Sequence, residues 1–491
     1  MKKQILFSFA FLLLLASCYT KEDAAYENGI YNSNTAYDGN TEFVGDEYIE
    51  YIENPFVEVS EQPISTFSID ADGASYANVR RFITQDNQLP PLGAIRTEEL
   101  INYFDLDYDF ENSAHPISLN GEVSVCPWNT ENKLVRIGMK GKDIPQLPAS
   151  NFVFLIDVSG SMASEDKLEM LKSGFKLLVD ELSAEDRVAI VTYAGSAAVI
   201  LESTAGDEKE TIKNAIDQLG AGGGTAGAEG IVTAYEIAEQ NFVENGNNRI
   251  VVGTDGDFNI GISNQEDLID LIEEKRDLGV FITVLGVGRG NLNDGALEQI
   301  ANNGNGTYEY IDNIEQLRKV FIYDYDKFFT VAKDVKVQVE FNPENVSAYR
   351  LIGYENRLLE TEDFEDDSKD AGELGANQSV TALYEIVPFD NPDFRDVPTF
   401  TIDFRYKEPN ADVSVPLELQ IFDEGYAFEE ASSFMRWTAS VAAFAMLLRD
   451  SEYKGNCDYE QLNTWLNSTN LADEHGFKAQ FKDIVNMASN M

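Results

Sequence analysis

The hydrophobic pattern changes character along the chain, and the changes divide it into segments. Residues 152–156 (Phe-Val-Phe-Leu-Ile) are continuously apolar, as a strand buried on both faces requires. Residues 167–182 follow with Leu168, Leu171, Phe175 and Leu178 at helical spacing. The alternation continues with strands at 188–193, 250–252 and 280–285 and a short edge at 197–201. Helices are predicted at 209–219, 228–243, 267–278 and 294–301. Such β-α alternation over 149–330 implies a doubly wound sheet with helices on both faces. From about 331 the period falls to two: Val335, Val337 and Val339 alternate with polar residues. Further strands are expected at 380–386, 399–404 and 413–421, around an acidic loop at 363–375. A long helix at 431–449 carries Phe434, Trp437, Val441, Phe444 and Leu448. Upstream, residues 63–148 suggest helices at 75–83 and 97–104, then strands at 117–125 and 134–139. Thr97 reads as an N-cap with Glu98 and Glu99 in the favourable first turn. The expected class is multidomain α/β. A central doubly wound, Rossmann-like domain (149–330) lies between an N-terminal α+β domain (63–148) and a C-terminal α+β domain (331–491), strand-rich and then helical.

The first residues read differently. Lys2 and Lys3 precede an apolar stretch from residue 5 to 16, too short for a stable membrane span. Leu15-Ala16-Ser17-Cys18 follows and resembles a bacterial lipobox. That resemblance implies that residues 1–17 are a signal peptide and that the Cys18 thiol carries a diacylglycerol. Residues 18–62 are acidic, lack apolar periodicity and are expected to be a disordered linker. Lys21-Glu22-Asp23 resembles the signal that sends Bacteroidota lipoproteins to the cell surface. The expected location is the cell envelope, at the outer membrane through the lipid anchor, with surface exposure in view. The remaining cysteines, Cys126 and Cys457, are compatible with a disulfide or with two buried thiols.

Thirty-six basic and 86 acidic residues give a formal charge of −50. That field repels nucleic acid and attracts divalent cations.

Candidate chemistry sits at strand ends. The run at 152–156 leads into Asp157-Val158-Ser159-Gly160-Ser161-Met162, a D-x-S-x-S sequence. Ligands of open α/β sheets bind at the carboxyl ends of strands. One carboxylate and two hydroxyls there make a hard oxygen site suited to Mg²⁺, with Mn²⁺ and Ca²⁺ as alternatives. Thr225 follows the run Gly222-Gly223-Gly224, and Asp255 ends the strand at Thr254-Asp255-Gly256. Asp157, Ser159, Ser161, Thr225 and Asp255 together resemble the metal-ion-dependent adhesion site of von Willebrand A domains. The resemblance implies that the hydroxyls bind the metal directly, that the aspartates act through water, and that a partner's carboxylate fills an open position. Residues 66–76, 96–104 and 254–261 are similar to the YfbK-type von Willebrand A lipoproteins, which implies the same three-part architecture.

Other chemistries fit less well. Asp70-Ala71-Asp72-Gly73 shares features with a phosphatase nucleophile loop and half an EF-hand but lacks the companions of either, and reads as a turn. Ser159 and Ser161 lack a nucleophile elbow, and both histidines, His115 and His475, lie outside the central domain. No enzyme activity is expected. The function expected is metal-dependent binding of an acidic residue on an unidentified protein partner. An assembly or scaffold subunit of an envelope complex is the alternative, and a metal-dependent hydrolase stands behind both.

Overall fold

The computed structural model describes residues 45–110, 114–223, 228–256, 265–389 and 397–491. The leader, Cys18 and Thr225 lie outside the described residues. Ahead of the central domain come β1 (Val57–Glu58), β2 (Ile64–Ser68), α1 (Ala74–Thr84), α2 (Thr97–Asn102), β3 (Ile117–Val125) and β4 (Lys133–Gly141). The central domain begins with β5 (Ser150–Asp157), α3 (Leu168–Glu181), β6 (Arg187–Tyr193), β7 (Ala197–Ala205), α4 (Lys209–Asp217) and α5 (Ala228–Gln240). It continues through β8 (Asn247–Thr254), α6 (Gln265–Asp277), β9 (Val280–Val287), α7 (Asp294–Asn303), β10 (Tyr308–Ile311) and α8 (Ile314–Arg318). After it come β11 (Thr330–Phe341), β12 (Val346–Ile352), β13 (Gly372–Gly375), β14 (Ser379–Pro388), β15 (Phe400–Lys407) and β16 (Val415–Ile421). Helices α9 (Ser433–Leu448), α10 (Tyr459–Ser468) and α11 (Phe477–Ala488) close the chain.

The central sheet runs β10-β9-β8-β5-β6-β7. All neighbours are parallel except β7, which pairs antiparallel at the edge. β5 explains why its sequence is apolar throughout. Phe152, Phe154 and Ile156 face one core with Phe175 and Leu178 of α3. Val153 and Leu155 face the other, with Ile231 of α5, Ile272 of α6 and Ile300 of α7. Strand order reverses between β5 and β8, so a ligand crevice is expected above their carboxyl ends.

The flanking segments do not fold as two separate units. One sheet runs β1-β12-β14-β4-β3; the other runs β13-β11-β15-β16, with β2 also paired to β11. Ile137 and Met139 of β4 share a core with Val337 and Val339 of β11, Tyr384 of β14 and Ile402 of β15. Strands from both sides of the central domain thus build one sandwich, and the central domain is inserted between β4 and β11. The physical reason is that β3 and β4 form a two-stranded ribbon, which cannot bury its apolar faces alone. The outer face of the first sheet is covered by helices: Leu134, Ile352 and Leu383 join a second core with Trp437, Val441 and Phe444 of α9 and Phe481 of α11. α9 is apolar around most of its circumference and is buried accordingly. Among the described residues no helix is long and apolar enough to cross a membrane. Cys126 and Cys457 are free buried thiols.

Two local expectations change. Residues 45–62 are packed against the fold, although their composition suggested a disordered linker. Tyr48 donates to Asn78 at 2.9 Å, Asn54 donates to the carbonyls of Leu351 and Gly353, and β1 pairs with β12. Few apolar residues suffice here because polar side chains satisfy buried backbone groups. At α2 the N-cap is Arg96 rather than Thr97, without a side-chain cap bond. Glu98 and Glu99 are fully buried, accepting from the amides of Tyr354 and Ser75. Tertiary amide partners outcompete the exposed first-turn role.

Candidate metal centre

Four of the five predicted site residues fall within the described residues, and all four meet at the strand-order reversal. Asp157 ends β5 and Asp255 directly follows β8, the neighbouring strand. After Asp157 the chain turns over itself: the Ser159 amide donates to Asp157 Oδ1 at 2.8 Å. This turn brings the hydroxyls of Ser159 and Ser161 to 2.9 Å from each other. Thr254 Oγ1 lies 3.4 Å from Asp157 Oδ2 and ties the two strand ends together. Asp157 and Asp255 are completely buried, Ser159 is nearly so, and Ser161 is exposed. The site therefore has carboxylates at its floor and a hydroxyl at its mouth.

The glycine run docks on the same loop. Gly222 donates its amide to the Val158 carbonyl at 2.8 Å, and the Gly160 amide donates to the Gly223 carbonyl at 3.3 Å. Thr225 itself lies outside the described residues.

Burial pushes the Asp157 carboxyl up to about 6, and the charge of Asp255 adds to the rise; the amide and hydroxyl of Ser159 oppose it. Asp255 is held from one side only. Lys167 Nζ lies 2.8 Å from its Oδ2 and 3.1 Å from Asn291 Oδ1. Asp255 Oδ1 is buried without a hydrogen-bond partner. An orphaned carboxylate oxygen beside a buried carboxylate and paired hydroxyls is a donor set that fits a small hard cation, or a water bound to one. Lys167 and Asn291 were not legible in the motif. Lys167 leaves a trace at Gly288, with φ of +75°, where a Cβ would collide with the Lys167 stem. Among the remaining candidates, His115 bonds Tyr406 and His475 stacks on Tyr323, both in structural roles remote from this loop.

Strand order, the D-x-S-x-S turn and the aspartate on the adjacent strand define a von Willebrand A-type domain, a class of protein-interaction and adhesion modules. The profile of the von Willebrand factor type A domain matches residues 151–321, and that of the C-terminal part of uncharacterized protein YfbK matches 326–491. A further profile, described as von Willebrand factor, matches 42–136. The chain is 38% identical over 470 residues to the uncharacterized protein YfbK of Escherichia coli (strain K12), covering 90% of this chain and 81% of that one. The chain belongs to the YfbK family. It is also 27% identical over 196 residues to an uncharacterized protein of Synechocystis sp., covering 40% of this chain and 46% of the relative. A von Willebrand factor type A protein from Catenulispora acidiphila aligns with a TM-score of 0.43 and 16% identity, covering 77% of this chain and 90% of that one.

Proposed function

We propose that the chain binds a partner protein through a divalent cation, Mg²⁺ or Mn²⁺, held at the end of β5. The single observation that carries this reading is the convergence of the Ser159 and Ser161 hydroxyls over buried Asp157, beside the orphaned oxygen of Asp255. Ser159 and Ser161 would hold the ion directly, while Asp157 and Asp255 orient its waters; the ion supplies an electrophile for an external carboxylate. Two neutral hydroxyls among the direct ligands leave the cation's charge poorly compensated, which favours such an anion. Thr225, two residues beyond the docked glycines, is the proposed third hydroxyl.

The proposed partner presents an acidic side chain, and the proposed setting is the cell envelope, with Cys18 lipidated at the outer membrane. An adhesin and a scaffold subunit share this chemistry and differ in what they capture.

The test uses the full chain. Mn²⁺ titration followed by electron paramagnetic resonance is expected to show a bound ion that Asp157→Ala abolishes and Asp255→Asn weakens by roughly 10–100-fold. Crosslinked capture from envelope extracts is expected to yield a partner in Mg²⁺ that disappears in EDTA. Retention of the same partner in EDTA and by Asp157→Ala would refute the reading.

A further inference from the structure

A second acidic centre lies at the seam between the sandwich and the A domain. Asp70 follows β2, Glu99 belongs to α2 and Glu298 to α7, so two acids come from the sandwich segment and one from the A domain. One carboxylate oxygen from each lies within 4.8 Å of those from the other two. Oxygens bound to one Ca²⁺ at about 2.3–2.6 Å stand at most roughly 5 Å apart, so the three fit a single coordination sphere.

Their existing contacts orient these groups. Asp70 accepts from the Asp72 amide at 3.0 Å and from Arg357 Nε at 2.8 Å. Glu99 accepts from the Ser75 amide at 2.8 Å and from Arg96 Nε, and Glu298 accepts from Asn356 Nδ2 at 2.6 Å. A carboxylate oxygen retains a lone pair after one hydrogen bond, so coordination capacity remains.

Asp72 carries an independent observation. It is 3% exposed, its Oδ1 accepts from the Tyr308 amide, and its Oδ2 has no hydrogen-bond partner. The closest cationic contact of that oxygen, Arg357 Nη2, stands at 3.8 Å, beyond hydrogen-bond distance. Asp72 Oδ2 thus stands beside the same guanidinium that holds Asp70 Oδ2, and the two aspartates line one cavity. Counted with Asp294, five buried acids share the guanidinium groups of Arg96 and Arg357. Uncompensated buried charge is costly, and a divalent cation is the economical remedy. A cavity of about 210 Å³, lined in part by Asp70, Asp72, Asn302, Asn356 and Arg357, reaches the Asp70 side of the cluster. The unpartnered Asn356 Oδ1 is a neutral oxygen nearby.

We infer that Asp70, Glu99 and Glu298, with Asp72 beside them, bind a calcium ion that joins the N-terminal part of the sandwich to the A domain. Calcium suits the centre better than magnesium. It accepts six to eight oxygens in flexible geometry, whereas Mg²⁺ demands near-octahedral order and keeps its waters. The hydroxyl-rich loop at 157–161 has the opposite chemistry.

The experiment starts from the full chain carrying Asp157→Ala, which silences the first site. Equilibrium dialysis with radioactive calcium is expected to show a bound ion, and the melting temperature is expected to be a few degrees higher in millimolar Ca²⁺ than in EGTA. Adding Asp72→Asn or Glu298→Gln, which preserve shape and remove charge, is expected to lower calcium affinity at least tenfold and to erase that increment. In EGTA both variants are expected to melt no lower than their parent, because repulsion is relieved; this separates lost binding from lost folding. Absence of bound calcium in the Asp157→Ala protein overturns the inference, as does calcium binding unchanged in both charge-removing variants.

Discussion

Lys167 and Asp255 set opposite charges together where water hardly reaches, and Lys167 therefore competes with any cation for the same carboxylate. Replacing Lys167 by Met leaves Asp255 buried without its partner, a loss on the order of 3–5 kcal/mol. Urea denaturation of Lys167→Met is expected to show that loss in EDTA and a partial recovery in Mg²⁺. Unchanged stability in EDTA would show that the pair contributes little. Gly256, immediately after Asp255, adopts φ of +102°, and a Cβ there would stand 2.5 Å from the Asn293 amide. Gly256→Ala is accordingly expected to destabilise by more than about 1 kcal/mol, read from the same denaturation curves. At this scale Asp157, Ser159, Ser161 and Asp255 were legible because a short loop and a strand end encode them locally. Lys167 and Asn291 were not, because their approach depends on how the 288–293 loop settles against the start of α3. Nor could Glu98 and Glu99 be read as interior residues from a first-turn pattern alone.

Elements follow the apolar pattern where burial is one-sided or complete, and escape it where strands are short. β5, β6, β9 and α9 were plain in the sequence; β10, four residues long with Glu309 in its middle, was not. Burial pushes the Glu309 carboxyl up to about 7, outweighing Lys319 and Lys327. A carboxyl raised in the folded state contributes stability below its unfolded value, about 4.3, and loses it as pH rises through about 7. Glu309→Gln, which cannot ionise, is thus expected to gain stability relative to the parent between pH 5 and 8, on the order of 1–3 kcal/mol. Denaturation midpoints at the two pH values measure it; parallel profiles would contradict it. At the start of α9, Ser432 Oγ accepts from the Met435 amide at 3.1 Å, and the Ser432 amide and hydroxyl both donate to Glu122 of β3. Ser432→Ala is expected to cost about 1–2 kcal/mol in thermal or chemical unfolding, because one cap serves both the helix and its attachment to the sheet.

At the scale of the whole molecule, the interleaving of the flanking strands was the feature the sequence concealed. Periodicity reports which face of a strand is buried, not which distant strand it pairs with. β11 recruits β2 across the entire A domain, and β14 recruits β4 in the same way. The segment 326–491 therefore lacks four of the strands that its sheets require, β1 to β4. Expressed alone it is expected to remain unfolded or aggregated, and co-expression with residues 45–148 is expected to improve its solubility; near-ultraviolet circular dichroism and gel filtration distinguish the outcomes. A cooperatively folded 326–491 fragment would contradict the shared sandwich.

The ordered stretch near residue 46 has a mechanical consequence. Asp46 Oδ1 accepts from the amides of Gly290 and Leu292, which flank Asn291, and Asn291 touches Lys167. Tension applied along the N-terminal chain would load this linkage before straining either sheet, and only two further contacts separate it from the carboxylate of Asp255. A tug on the N-terminal chain is thereby placed within reach of the loop proposed to grip a partner.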